Sequence, residues 1–266
     1  MAPESLVNYE NAPVNEVVIG LRFRQISSLL IPHFGQFWAQ IKDQYPFCEH
    51  APPFSDDGAL VDPSTGMLLP RVWLVSTDKT QLVQLQNTRF YFNWRQTPES
   101  KTYPRFSAVL DKFTTVYRGW RDYVTNTFST ELTPVAFELT YLNTIEKAVS
   151  FDPLKDIGSF MRDFNWENDS DRFLPRPISQ FVQAQFEMDE GAGTLSMRVM
   201  PAVLVSNSEK IIRLELTATT PLNKTLDPDD IFDWLPIARK WIVLGFRDLT
   251  REDVQRNVWK RVDENT

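Results

Sequence analysis

The chain has 266 residues, with 28 Lys and Arg against 35 Asp and Glu, which gives a net charge of −7 at pH 7. Apolar residues make up 42% and charged residues 24%, so the composition is typical of a folded globular protein and excludes an intrinsically disordered chain. No apolar run approaches the roughly 18 residues that span a bilayer, and an acidic chain is poorly suited to binding nucleic-acid phosphates. We therefore expect no membrane span and no nucleic-acid partner.

Cysteine, histidine and glycine are scarce, which restricts the chemistry that this chain can perform. Cys48 is the single cysteine, His33 and His50 are the only histidines, and there are nine glycines. Residues 1–18 lack the basic and then apolar order of a signal peptide, so we expect a cytoplasmic protein without a disulfide. Cys48 and His50 have no further ligand residues at metal-site spacing, and phosphate-binding glycine motifs are missing. The sequence thus predicts no metal, no cofactor and no catalytic residue.

The first half of the chain has the pattern strand, helix, three strands, helix. β-Branched and alternating residues indicate the strands, and apolar residues at three- and four-residue steps indicate the helices. The predicted strands are 16–24, 68–77, 81–85 and 89–95, the predicted helices are 28–44 and 105–128, and a loop with four prolines covers 46–63.

The second half repeats this pattern. The predicted strands are 136–145, 179–188, 194–206 and 210–219, and a polar loop containing proline covers 165–177. The predicted helices are 153–164, 228–246 and 250–261; the first two begin at Asp-Pro pairs, and the third begins at a variant of the capping box.

Short residue matches between the halves suggest an internal duplication. Residues 119–123 (Gly-Trp-Arg-Asp-Tyr) match residues 245–249 (Gly-Phe-Arg-Asp-Leu) at an offset of 126, and Thr97-Pro98 matches Thr220-Pro221 at an offset of 123. Chance similarity in such short windows is the alternative. With duplication, the chain consists of two α+β pseudo-repeats, 1–130 and 131–266, within one globular unit.

The predicted fold class is α+β, with antiparallel sheet built from two repeats of strand-helix-three strands-helix and with the helices packed on one face. Each three-strand meander must bury its apolar side, and the long helices supply the cover. This element order resembles the duplicated saddle of TATA-binding-protein type and, more loosely, the helix-grip folds. Such a likeness of topology carries no function.

The stretch from Leu85 to Arg95 holds the strongest candidates for a binding site. Arg89, Tyr91, Asn93 and Arg95 alternate with large aromatic residues, so they form one polar face of the predicted strand. Arginine and aromatic side chains on such a face can stack on flat ligands and hydrogen-bond to them. Arg105 is added because a cation at a helix start is disfavoured unless it has a specific anionic partner. A half-buried structural strand is the alternative interpretation.

Several segments together resemble a bacterial protein family. These are residues 11–18 (Asn-Ala-Pro-Val-Asn-Glu-Val-Val), 85–95, 103–106 (Tyr-Pro-Arg-Phe) and the end of the chain with Phe246, Leu249, Thr250 and Trp259. The family is sporadically distributed, uncharacterised and of similar length. The resemblance implies a bacterial cytoplasmic protein, brings no catalytic residues with it, and suggests an accessory role such as phage defence or a toxin–antitoxin system.

Two main functional hypotheses follow, and a third, nucleic-acid binding by a saddle-like sheet, is disfavoured by the net charge and would be excluded by an acidic or neutral concave face. The first is a non-catalytic binding protein that contacts a protein partner or a second copy of itself, because aromatic residues and arginine are favoured in interface cores. The second is a small-molecule binder or enzyme with a pocket between a curved sheet and the long helices, using Arg89, Tyr91, Asn93, Arg95 and Arg105.

Overall fold

The computed structural model describes residues 6–54, 66, 70–147, 152, 154, 156–164, 166, 172–204 and 208–262. Over these residues the protein is α+β, with a large antiparallel sheet and four helices. The strands are β1 (Asn8–Tyr9), β2 (Val14–Phe23), β3 (Phe47–Ala51), β4 (Arg71–Val75), β5 (Gln81–Gln86), β6 (Arg89–Arg95), β7 (Pro134–Ile145), β8 (Val182–Met188), β9 (Gly193–Val203), β10 (Lys210–Thr219) and β11 (Arg261–Val262). The helices are α1 (Ile31–Ile41), α2 (Phe106–Phe128), α3 (Asp230–Leu249) and α4 (Glu252–Asn257).

The chain forms two compact units. The first unit contains Met1–Asn15, Thr140–Thr219 and Trp234–Thr266, and the second contains Glu16–Leu139 and Thr220–Asp233. Both β7 and α3 therefore contribute residues to each unit.

In the second unit, the strands follow the order β3-β4-β5-β6-β2, and all neighbours are antiparallel. Alternation along β6 directs Phe90, Phe92 and Trp94 to one face, where Phe90 contacts the α2 rings of Tyr117 and Trp120 at 5.7 and 6.0 Å. Helix α1 joins the same core, because the buried ring of Phe37 lies 5.0 Å from that of Trp120. Burial of these rings on one side of the strands holds both helices there and leaves the other face of β6 free of them.

In the first unit, β8, β9 and β10 form an antiparallel meander in the order β10-β9-β8. Strand β7 lies beside β10, with the hydroxyls of Thr140 and Thr217 2.9 Å apart. Helix α3 approaches β9 closely, because a Cβ atom on Gly245 would lie only 2.9 Å from Leu195 Cδ2. The glycine thus permits tight packing of the helix on the strand.

The structure corrects three element predictions. The helix predicted over 250–261 ends at Asn257, and Arg261 belongs to β11, where it pairs with Tyr9 of β1. The predicted loop over 46–63 contains β3, whose residues pair with β4 from Phe47↔Val75 to Ala51↔Arg71. Its five residues include Cys48, Glu49 and His50 and give no hydrophobic alternation. The predicted helix over 153–164 is wrong over its described part, where only Ile157–Ser159 form a single 3₁₀ turn. The backbone leaves the helical path after this turn because Met161 bridges to Thr250.

Candidate functional site

The strand face that the sequence singled out is a buried polar network. Arg89, Tyr91 and Asn93 lie on the face of β6 opposite to α2, and they are only 3%, 4% and 2% exposed. We call this surface the polar face; its described members on β2, β4, β5, β6 and β7 are Glu16, Arg22, Arg71, Gln84, Gln86, Arg89, Tyr91, Asn93 and Glu138. The groups are brought together by strand register rather than by sequence proximity.

One chain of contacts in the polar face carries charge. The Arg89 guanidinium donates to the Tyr91 hydroxyl at 2.9 Å, and this hydroxyl donates to Glu138 Oε2 at 2.5 Å. The other carboxylate oxygen of Glu138 lies 2.9 Å from Arg22 Nε. Burial raises the pKa of Tyr91 well above its ordinary value, and the negative charge of Glu138 adds to the rise. Tyr91 therefore stays protonated and serves as a hydrogen-bond donor to the carboxylate.

A second chain of contacts consists of amides. Gln84 Nε2 donates to Asn93 Oδ1 at 2.7 Å, and Asn93 Nδ2 donates to Glu16 Oε1 at 2.5 Å. Gln84 Oε1 accepts from Arg71 Nη1 at 2.9 Å and from Trp73 Nε1 at 3.0 Å. Both amide orientations are thereby fixed, since each oxygen faces donors and each nitrogen faces an acceptor. The amides connect an arginine at one end with a carboxylate at the other.

Phe54 lies against this network. Its ring centroid is 4.0 Å from the guanidinium carbon of Arg71 and 4.8 Å from that of Arg89, which are cation–π distances. Gln86 holds the Phe54 backbone, accepting its N–H at 3.0 Å and donating to its carbonyl at 3.4 Å. The phenyl ring thus contacts two cations and shields part of the polar face from water.

Gly20 on β2 leaves room for the ring of Tyr91. These residues are paired across the strands, and a Cβ atom on Gly20 would lie 2.2 Å from the Phe90 carbonyl oxygen and 2.4 Å from Tyr91 Cδ1. The tyrosine ring therefore occupies the space above the glycine backbone, a packing that any side chain at position 20 would prevent.

Of the other two predicted site residues, Arg95 lies on the same face of β6, directly opposite Glu16 of β2, and Arg105 lies away from that face. Arg95 is half-buried at the end of β6, where its Nε donates to the Lys79 carbonyl at 3.0 Å. Arg105 is exposed and precedes the first turn of α2 with a φ of 74°. Since α2 covers the opposite face of β6, the structure does not bring Arg105 together with Arg89, Tyr91 and Asn93.

Arg71 is the member of the polar face best suited to hold an additional group. Among the described residues no carboxylate lies within ion-pair distance of it, and its buried Nε has no hydrogen-bond partner. Burial lowers the pKa of this guanidinium, and the charge of Arg89 contributes to the decrease. Within the described part of the chain, this guanidinium donates to a neutral amide and lies against the rings of Phe54 and Trp73, so it can accept an anionic ligand.

A second candidate region lies in the first unit and was not predicted from the sequence. Within the part of the chain that the structure describes, β8 pairs with β9 alone, and most of its side chains are exposed. The residues directly before it, 172–181, carry four exposed apolar side chains; we call this stretch the apolar segment. They are Phe173 (96% exposed), Leu174 (60%), Ile178 (101%) and Phe181 (60%).

An open groove of about 530 Å³ lies beside β8 and α3. Its apolar lining comes from Phe186 of β8, Leu195 of β9, and Trp241 and Leu244 of α3. Of these four, only Leu195 is buried, so the groove offers unburied apolar surface. The signal that could have revealed this region is two phenylalanines, a leucine and an isoleucine within a proline-containing stretch that has no helical or strand periodicity.

Other site types find no support in the described residues. No group of three or more His, Cys, Asp or Glu side chains there is close enough to hold a metal ion. None of the helices in the described part of the chain is both long and apolar enough to cross a membrane.

Comparison with protein-family models, with curated proteins and with solved structures finds no match to this chain. The resemblance to a bacterial family therefore stays a prediction.

Proposed function

We propose that this chain is a non-catalytic binding protein that acts through protein–protein contacts made by β8 and the apolar segment. The observation that carries the proposal is the run of large apolar side chains left in water directly before an edge strand. Contiguous exposed apolar surface on a folded chain is a mark of an interaction site.

The chemistry of β8 supports strand pairing as the mode of contact. An edge strand presents unpaired N–H and C=O groups, and native proteins usually protect such edges with lysine, proline or a bulge. The sequence of β8, Val-Gln-Ala-Gln-Phe-Glu-Met, contains no lysine and no proline, and it pairs with β9 without interruption from Val182 to Met188. An extended segment of a partner can therefore add to this edge through main-chain hydrogen bonds.

Photo-crosslinking from single positions tests this proposal. A photoreactive phenylalanine analogue placed at Phe181 is expected to yield protein adducts in cells, because this side chain lies at the start of the exposed edge. The same analogue at Lys112, an exposed residue of α2, is the matched control and should yield none. Absence of adducts from position 181, with the protein folded, would refute binding at this edge.

We also propose the internal duplication, the saddle-like sheet and the bacterial accessory role that the sequence predicts. The two halves share one arrangement: the last strand of the meander lies beside the first strand of that half, and a long helix follows. In the first half β6 lies beside β2 and α2 follows. In the second half β10 lies beside β7 and α3 follows. This shared strand order supports a duplication, and the saddle-like curvature of the sheet rests on the likeness of element order alone. A cytoplasmic, defence-linked or toxin–antitoxin-linked bacterial role rests on the resemblance alone, and the genes beside this one are the observation that tests it.

Binding of a small anionic ligand is the second candidate function, and Arg71 is the observation that favours it. The ligand would meet the side of the strands opposite to α2, rather than a pocket between strands and helices. Inorganic phosphate is the probe: it should shift the amide resonances of Arg71 and Gln84, and Arg71→Gln should remove the shift. Arg95→Gln is the matched control, because Arg95 bonds a backbone carbonyl at a strand end. Unchanged resonances at millimolar phosphate would reject this function.

A further inference from the structure

We propose that the occupant of β8 is a second copy of this chain, paired antiparallel to it about a twofold axis at Gln185. This inference rests on the proposed function, because it names the partner of the same edge. Homo-oligomers with twofold symmetry use the same patch on both subunits, so the patch must be complementary to itself.

The register of β8 on β9 defines what each side chain would meet. Val182, Ala184, Phe186 and Met188 lie opposite Val199, Met197, Leu195 and Gly193, so this set faces the apolar side of the strands. Gln183, Gln185 and Glu187 face the other side and are exposed. A second copy that keeps apolar side chains together must pair residues of the same set, which restricts the possible registers.

When two β8 strands pair antiparallel with their Gln185 residues directly opposite, each side chain meets one of compatible size or charge on the other copy. Val182 then faces Met188, and the small Ala184 faces the large Phe186 of the other copy. On the polar side Gln183 faces Glu187, which is the only charged residue of the strand, so no like charges meet. The half-exposed ring of Phe186 would be covered in both copies at once.

The surroundings of the strand add to the contact. Phe181 directly precedes β8 and would lie at the end of the paired region, and Phe186 opens onto the groove beside α3. Stable interfaces bury roughly 800 Å² per partner, more than a single strand pair offers. The apolar segment is therefore expected to supply the remaining apolar area.

Opposite charges at one position provide the decisive test. Gln185→Lys places two lysines across the axis, and Gln185→Glu places two glutamates there, so each variant alone should dissociate at least about tenfold more readily than the wild type. A 1:1 mixture should restore the dimer, because each pair then joins Lys with Glu. The substitutions are matched: the position is exposed, and its neighbour on β9 is the uncharged Ser196.

Light scattering across a concentration series, at low and high salt, measures the effect. The expected result is a wild-type mass of two chains, weakened dimers of each variant, and a restored dimer in the mixture that loses its advantage in high salt. A wild-type protein that stays monomeric, or a mixture that fails to restore association, overturns the inference.

A disulfide provides an independent check of the register. In a Cys48→Ser background, Gln185→Cys should give a covalent dimer, since directly opposed strand residues lie within disulfide reach. Gln183→Cys, which faces Glu187 in this register, should not. Equal yields from the two positions would contradict pairing about Gln185.

The crosslinking at Phe181 separates this inference from the proposed function. If the chain is monomeric but position 181 still yields protein adducts, the second copy is wrong and protein binding stands. If the chain is monomeric and position 181 yields no adducts, both proposals fail.

Discussion

The polar face of the second unit and the β8 edge of the first unit differ in which side chains they bury and which they expose. In the polar face, Arg89, Tyr91 and the amides are buried, the other arginines and the carboxylates are partly buried, and most of these groups bond to one another. At the β8 edge and in the apolar segment, large apolar side chains remain in water. In the polar face most hydrogen-bonding groups, apart from Arg71, are satisfied within the fold, whereas at the β8 edge apolar surface stays exposed. The difference shows that a distinctive motif in the sequence can belong to the hydrogen-bonded interior of a fold.

Gly20→Ala is expected to have the largest effect on the polar face. The new methyl group would overlap the Phe90 carbonyl and the Tyr91 ring, so we expect the free energy of unfolding to fall by about 3 kcal/mol. Urea unfolding provides the measurement. Gly119→Ala is the matched control: nothing lies within 4 Å of its added Cβ, and its place inside α2 predicts a gain of about 0.5–1 kcal/mol. Equal losses in both variants would show that Gly20 does not position Tyr91.

The raised pKa of Tyr91 predicts that the free energy of unfolding depends on pH, with an effect of intermediate size. Its pKa in the folded protein lies well above 10.0, so the folded state holds the proton while the unfolded chain releases it. The stability that Tyr91 contributes is present below pH 10 and is lost as the pH rises above it, by up to about 1.4 kcal/mol per pH unit. Tyr91→Phe should flatten the fall of the unfolding free energy between pH 10 and 11.

Other tyrosines set the background of that measurement. Burial also raises the pKa of Tyr45 and Tyr117, so part of the alkaline loss should persist in Tyr91→Phe. Tyr45→Phe is the comparison variant: Tyr45 hydrogen-bonds to Gln81, belongs to no chain of the polar face, and should remove only its own share of the alkaline loss. An unchanged slope in Tyr91→Phe would mean that burial and Glu138 do not raise the pKa of this phenol in the folded protein.

The strands and long helices with strong periodicity were predictable from the sequence. Strand β6 has the predicted limits 89–95, and α2 ends at the predicted Phe128, because alternation and helical spacing both report burial directly. Strand β3 escaped prediction because its five residues show no such pattern and its pairing with β4 is a tertiary contact. The location of Arg89, Tyr91 and Asn93 on one face was likewise predictable.

The state of these three residues was not predictable. Whether a polar strand face is a ligand groove or a closed network depends on what other strands supply, here Glu16 from β2, Gln84 from β5 and Glu138 from β7. The exposure of Phe173 and Ile178 also depends on the absence of a neighbour among the described residues, which no local pattern reports. Residue spacing predicts which side chains share a strand face, whereas the burial and hydrogen-bond partners of that face depend on tertiary contacts.

The smallest expected effect on stability belongs to the apolar segment. Phe181→Ser removes a large side chain that is 60% exposed, so we expect the free energy of unfolding to change by less than about 0.5 kcal/mol. Association through β8 should nevertheless weaken, because the apolar area that supports the strand pair is lost. Leu216→Ala, at a fully buried position of β10 in the same unit, is the contrast and should cost about 2–5 kcal/mol. A large loss of stability in Phe181→Ser would show that this side chain supports the fold, and the distinction between a satisfied polar face and an open apolar edge would then fail.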